Sequence, residues 1–170
     1  MARADKHRSL HKHGGSVTFL ACLNVTRRLP INGYHHHVLS EKFMRFTILA
    51  TFAALLTYCW FLLKVGQARR KFGVEAPKTT GNADFERIFR VQQNTVEQMV
   101  LFLPSLWIFG FYVSDMLAGL LGLGWTAARA LYASEYYADA KTRGPGAALT
   151  FLIGLVLLVG GTLGALIKGV

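Results

Sequence analysis

Cysteine is nearly absent from this sequence, which has only Cys22 and Cys59 among its 170 residues. Neither cysteine suggests a disulfide framework. No Cys or His spacing of the kind that binds zinc occurs, so we expect no metal site. Cys59 lies in the middle of a long apolar segment, and we interpret it as a small packing residue.

The segments of about ten alternating polar and apolar residues that mark the strands of a membrane barrel are also missing. The hydrophobic residues, 52% of the chain, instead form four long blocks. These blocks cover residues 43–65, 99–113, 116–133 and 147–167. A bilayer core about 30 Å thick requires about 20 helical residues. The first and last blocks reach that length alone, and the middle two reach it when extended to about 84–113 and 116–139.

These blocks predict an all-α integral membrane protein in which residues 44–170 form a four-helix transmembrane bundle.

Acidic residues are scarce, with 9 Asp and Glu against 19 Lys and Arg and a formal net charge of +10. In a soluble protein this excess would suggest nucleic acid, but from Met44 onward most of it falls in two predicted loops. The first contains Arg69, Arg70, Lys71 and Lys78, and the third contains Lys141 and Arg143.

Loops 1 and 3 of a four-span protein lie on the same side of the membrane, and the positive-inside rule places that side in the cytoplasm. Both termini then face away from the cytoplasm. We expect a multi-pass protein of the bacterial inner membrane or the endoplasmic reticulum, with membrane lipids and no nucleic acid among its partners.

Residues 1–43 differ from the rest of the chain. They contain seven of the Lys and Arg residues and all six His, and their one apolar run, 17–25, is too short to span a bilayer. Arg27 and Arg28 follow that run where a signal peptide would have its cleavage site. A transit peptide is an alternative, since Asp5 and Glu41 are the only acids here. We interpret 1–43 as a leader, disordered or not native, and Met44 as the biological start.

The most informative polar segment precedes the second apolar block. On a helix, Arg90, Asn94 and Glu97 share one face, because their spacing is i, i+4, i+7. An unpaired charge at mid-bilayer costs about 2.5–3.5 kcal/mol, so these side chains should face the protein interior. Two explanations fit this pattern. The side chains form a structural network that links helices, or they form a site for a ligand.

A second polar stripe lies in the predicted third span. Arg129, Tyr132, Tyr136 and Arg143 lie on one side of a continuous helix, which Gly144 and Pro145 then end. Arg69 and Arg70 belong to the same predicted side of the membrane. Such a set suits a small zwitterion with an excess of negative charge, because arginines bind carboxylates bidentately and Glu97 can bind an ammonium group.

Four motifs carry a resemblance to a known family. They are 68–74 (ARRKFGV), 79–81 (TTG), 85–97 (FERIFRVQQNTVE) and 128–136 (ARALYASEY). Together they resemble the MAPEG family, the membrane-associated proteins of eicosanoid and glutathione metabolism, over about residues 44–170. The resemblance implies a homotrimer of four-helix subunits that binds glutathione between neighbouring subunits.

The resemblance also implies roles for particular residues. Those corresponding to the glutathione-binding positions are Arg69, Arg90, Gln92, Asn94, Glu97, Tyr132 and Tyr136. Arg143 corresponds to the arginine that stabilises the glutathione thiolate, and Arg70 to an arginine assisting at the lipid substrate in the leukotriene synthase branch. The implied activity is glutathione transfer to hydrophobic electrophiles, or reduction of lipid hydroperoxides, with glutathione as co-substrate and no metal.

Two positions depart from the family pattern. Gln98 stands where the leukotriene synthase branch has a tyrosine, and Val100 stands where members often have proline.

Two rival functions compete with the implied one. The first is that of a non-enzymatic, lipid-binding member, but the family's lipid-binding branch replaces the residues equivalent to Arg90 and Glu97. A proton-coupled exporter using Glu97 is the second, and an arginine cluster disfavours its cationic substrates.

Overall fold

The computed structural model describes residues 44–139, 141 and 144–169. The predicted leader and Arg143 lie outside these residues. Four helices make up the bundle, α1 (Arg45–Phe72), α2 (Ala83–Tyr112), α3 (Asp115–Ala138) and α4 (Gly144–Ile167). The described part of the chain contains no strand, so the predicted all-α fold with four helices is confirmed.

Three of the helices, α1, α2 and α4, are long and apolar enough to cross a membrane. The 24 residues of α3 give it a length of about 36 Å. It carries Asp115, Arg129 and Glu135. Large apolar side chains are exposed along the outside of the bundle, including Leu49, Leu63 and Phe151. On a protein in water so much exposed apolar surface would be a liability, whereas in a bilayer it faces lipid.

The central pair of the bundle is α2 and α3. These two helices contact each other and both outer helices, whereas α1 and α4 make no contact with each other among the described residues. Phe102 and Trp125 stack in the core with ring centroids 4.0 Å apart. Gly122 lets α3 approach α1 closely, because a Cβ there would lie 2.6 Å from the Cβ of Ala50. Small residues thus hold the helices together by close packing, as is usual in membranes.

Polar side chains define where several helices begin and end. Asn82 caps α2 by accepting from the backbone N–H groups of Asp84 and Phe85. The carboxylate of Asp115, at the start of α3, accepts from the N–H groups of Phe46 and Thr47 at the start of α1. The opposite end of the bundle, where α1 and α3 end and α2 and α4 begin, is called the basic end below. It contains Arg69, Arg70, Lys71, Lys78 and Lys141.

Candidate functional site

A cavity of about 400 Å³ opens in the half of the bundle towards the basic end. It is lined by Arg90, Asn94, Tyr132, Tyr136 and Ala147. Four of these are residues that the sequence predicts as glutathione ligands. We call this space the first cavity.

The two walls of the first cavity follow from helical periodicity. Arg90 and Asn94 are four residues apart on α2, so they point from the same side of that helix. Tyr132 and Tyr136 have the same spacing on α3, and their ring centroids lie 5.5 Å apart. Both tyrosines are buried, whereas Arg90 is exposed. A charged wall therefore faces an aromatic wall with two hydroxyl groups.

Arg129 lies behind these walls and is only 1% exposed. Its Nη2 donates to Thr95 Oγ1 at 2.9 Å and, over a longer 3.4 Å, to Asn94 Oδ1. Its guanidinium carbon lies 4.2 Å from the ring centroid of Tyr132, which is cation–π geometry. Among the described residues its Nε has no hydrogen-bond partner, and no carboxylate lies within ion-pair distance. The buried cation is thus held by neutral groups.

The side chain of Glu97 continues the polar face of α2 beyond the first cavity. Glu97 is exposed and accepts from Gln93 Nε2 at 3.4 Å and from Asn94 Nδ2 at 3.5 Å. Arg90, Asn94 and Glu97 therefore share one face of α2, as predicted, although Glu97 does not line the cavity. The prediction that all three face the protein interior is wrong within one chain, because Arg90 and Glu97 are exposed.

Two other predicted glutathione ligands, Gln92 and Arg69, and the predicted assisting arginine, Arg70, lie elsewhere. Gln92 is rotated about 200° from Arg90 around α2, and its Nε2 donates to the hydroxyl of Tyr58 on α1 at 2.8 Å. Arg69 Nη1 donates to the carbonyl oxygens of Lys78 at 2.8 Å and Val74 at 3.4 Å. Arg70 is exposed near the end of α1. Within one chain, none of the three lines the first cavity.

Sequence reasoning missed the contribution of α4. Ala147 lines the first cavity because α4 starts against α3, where the N–H of Gly146 donates to Glu135 Oε2 at 3.0 Å. A Cβ at Gly146 would lie 2.6 Å from the backbone of Tyr132. The glycine is the signal that could have revealed this contact. Across the described residues, no three His, Cys, Asp or Glu side chains gather where they could hold a metal ion.

Apolar helices around a polar, arginine-containing cavity are typical of a helical membrane protein. Residues 47–163 match the MAPEG family. The chain belongs to this family, as the sequence motifs predict, and it is a membrane protein.

Relatives in several organisms share parts of this segment. An uncharacterized protein of Synechocystis is 47% identical over 118 residues, which are 69% of this chain and 86% of the relative. Human microsomal glutathione S-transferase 2 is 40% identical over 121 residues, 69% of this chain and 82% of the relative. Mouse leukotriene C4 synthase is 40% identical over 93 residues, 55% of this chain and 62% of the relative.

Proposed function

We propose that this protein is a membrane-bound glutathione transferase that binds glutathione in the first cavity and presents its thiolate to hydrophobic electrophiles or lipid hydroperoxides. One observation carries the proposal. A single cavity brings together Arg90, Asn94, Tyr132 and Tyr136, which are four of the seven residues that the family resemblance assigns to glutathione. Two named relatives at 40% identity, a microsomal glutathione S-transferase and a leukotriene C4 synthase, support the same substrate.

The lining suits the charges of glutathione, which has two carboxylates and one ammonium group. The guanidinium of Arg90 offers paired donors to a carboxylate. The tyrosine hydroxyls and the amide of Asn94 can donate hydrogen bonds to peptide carbonyls or accept from peptide N–H groups. Glu97, one turn along α2, supplies a negative charge for the ammonium group.

The exposure of Arg90 and Glu97 supports a site shared between subunits. Charged side chains on a helix that crosses a bilayer are expensive unless they face protein or water. In the homotrimer that we propose, a neighbouring subunit covers this face and contributes Arg69 and Gln92, which lie away from the first cavity in their own chain. Bound glutathione then lies between two subunits.

Catalysis requires a thiolate at neutral pH. A free thiol has a pKa near 8.5, and lowering it by about two units requires roughly 2.7 kcal/mol of preferential stabilisation of the thiolate. One guanidinium in a site of low dielectric constant can supply this. We assign that role to Arg143, four residues before the cavity-lining Ala147, and an assisting role at the hydrophobic substrate to Arg70.

The test is isothermal titration of the detergent-purified protein with glutathione, followed by assay with a hydrophobic electrophile and with a lipid hydroperoxide. Saturable binding with turnover of either substrate is the expected result, and the two assays separate transferase from peroxidase activity. Absence of binding to a correctly assembled protein would leave the non-enzymatic, lipid-binding alternative.

A further inference from the structure

A second cavity of about 400 Å³ lies at the basic end of the bundle. It is lined by Lys64 of α1, Asp84, Arg87 and Ile88 of α2, and Tyr137 of α3. Among the described residues, the two cavities have no lining residue in common. Its volume is far larger than the ~30 Å³ that one water molecule occupies.

The polar groups of this second cavity are only partly paired. Arg87 forms an ion pair with Asp84 one turn away on α2. Lys64 Nζ lies 4.9 Å from the ring centroid of Trp60 and has no hydrogen bond or ion pair within the described chain. The hydroxyl of Tyr137 is shielded from solvent and likewise lacks a partner there. A buried hydroxyl group without a partner is unfavourable, so a ligand that accepts its hydrogen bond would be stabilised.

Charge and position narrow the chemistry of that ligand. Lys64 and Arg87 contribute two positive charges and Asp84 one negative charge, so a ligand with a single negative charge neutralises the lining. Lys64, Trp60 and Leu56 follow one another at four-residue spacing on α1, a rise of about 6 Å per step. Trp60 is 54% exposed and Leu56 is 53% exposed. An apolar stripe therefore runs from the cationic cavity towards the middle of the membrane.

We propose that the second cavity binds the phosphodiester headgroup of an anionic phospholipid such as phosphatidylglycerol, with an acyl chain along Trp60 and Leu56. Lys64 and Arg87 bind the phosphate oxygens, and the hydroxyl of Tyr137 donates to one of them. Asp84 fixes the guanidinium of Arg87 and accepts from a hydroxyl of the headgroup glycerol. A choline headgroup is disfavoured because it would bring a fixed positive charge next to two cations.

The experiment is native mass spectrometry of the delipidated, full-length protein titrated with phosphatidylglycerol or with phosphatidylcholine of the same acyl chains. We expect phosphatidylglycerol to bind at least tenfold more tightly. Lys64→Gln and Arg87→Gln should each weaken its binding about tenfold. Tyr137→Phe, which removes one oxygen and keeps the ring, should weaken it several-fold. Equal affinity for the two lipids in the wild-type protein would overturn the proposal.

The matched control is Lys71→Gln, which removes a cation from the same end of α1 outside both cavities and should leave the lipid affinity unchanged. An equal loss in this variant would show attraction to basic surface charge and overturn the proposal.

A titration with inorganic phosphate tests whether the second cavity binds a lipid headgroup or a free phosphate ion. Millimolar phosphate should not displace the lipid, and tight binding of phosphate alone would show a site for a soluble anion instead. If the charge variants fail to assemble, unchanged affinity in Tyr137→Phe is sufficient to reject the site.

Discussion

The guanidinium of Arg129 on α3 donates to the amide oxygen of Asn94 on α2, which leaves the amide nitrogen of Asn94 directed towards Glu97. A residue of the proposed glutathione site is thus oriented from behind by a buried cation that does not itself line the cavity. Because Arg129 also contacts the ring of Tyr132, it supports both walls of the first cavity.

Arg129→Lys should lower both stability and glutathione affinity. The ammonium group keeps the charge but lacks the planar fork that reaches Asn94 and Thr95 together. We expect a loss of about 1.5–3 kcal/mol in unfolding free energy, the range for hydrogen bonds to charged groups, measured by thermal unfolding in detergent. Thr95→Val is the control, because it removes the hydroxyl acceptor and leaves Asn94 intact. It should cost about 0.6–1.7 kcal/mol and spare glutathione affinity. Wild-type affinity in Arg129→Lys would contradict the orienting role.

Arg90→Ala and Glu97→Ala should each weaken glutathione binding rather than only slow the chemistry. A charge pair to the ligand in a partly buried site contributes about 1.5–3 kcal/mol, which corresponds to a roughly ten- to 150-fold change in Kd. Isothermal titration measures this directly, with Lys71→Gln as a charge-removal control outside the site. If the double variant assembles normally and binds as tightly as the wild type, the polar face of α2 is a structural network.

Arg143→Ala should spare most of the affinity for glutathione, because the carboxylates and the ammonium group keep their partners. It should instead raise the pKa of the bound thiol towards the free value of about 8.5. The thiolate would then form only as the pH rises, so activity should recover partly in alkaline buffer. Ultraviolet absorbance of the thiolate, followed against pH in the complex, reports the shift. An unshifted thiol pKa would remove Arg143 from the mechanism and make Arg69 or Arg70 the next candidate.

Gly146→Ala should push the start of α4 away from α3. The added Cβ would lie 2.6 Å from the N and Cα atoms of Tyr132, a backbone contact that cannot yield without movement of a helix. Overpacking of this kind costs about 1–3 kcal/mol, and the displaced Ala147 should change glutathione affinity. Gly154→Ala is the matched control on the same helix, because a Cβ there meets nothing within 4 Å. It should be neutral or stabilising by up to about 1 kcal/mol.

The sequence predicted the helices better than it predicted which residues meet. The predicted spans 84–113 and 116–139 differ by one residue at each end from α2 and α3. The prediction that the third helix continues to position 143 and ends at Gly144 and Pro145 is wrong, because α3 ends at Ala138 and these two residues begin α4. Proline is tolerated in the first turn of a helix, where its missing N–H would have no intrahelical partner.

The first predicted block, 43–65, ends before α1 does, because α1 continues to Phe72. Hydrophobicity marks only the part of a helix that contacts lipid, and the last turn of α1 is basic. Gly73, at φ 64°, then ends it.

Within the site, i,i+4 spacing correctly grouped Arg90 with Asn94 and Tyr132 with Tyr136. Spacing along one helix cannot reveal contacts between helices, however. The bond from Gln92 to Tyr58 and the approach of Ala147 depend on how α1 and α4 pack, and neither Tyr58 nor Ala147 carries a chemical signature in the sequence.

The burial of Arg129 near the middle of α3 has a consequence for biogenesis. An arginine at that depth adds about 2.5–3.5 kcal/mol to the insertion of a lone segment, and α3 also carries Asp115 and Glu135. Its hydrogen-bond acceptors, Asn94 and Thr95, belong to α2, which leaves the ribosome first. We therefore expect α3 to enter the bilayer efficiently only beside α2, and glycosylation mapping of α3 alone and of the α2–α3 pair would measure the difference. Nascent α2 would thus act as an intramolecular chaperone for the helix that follows it.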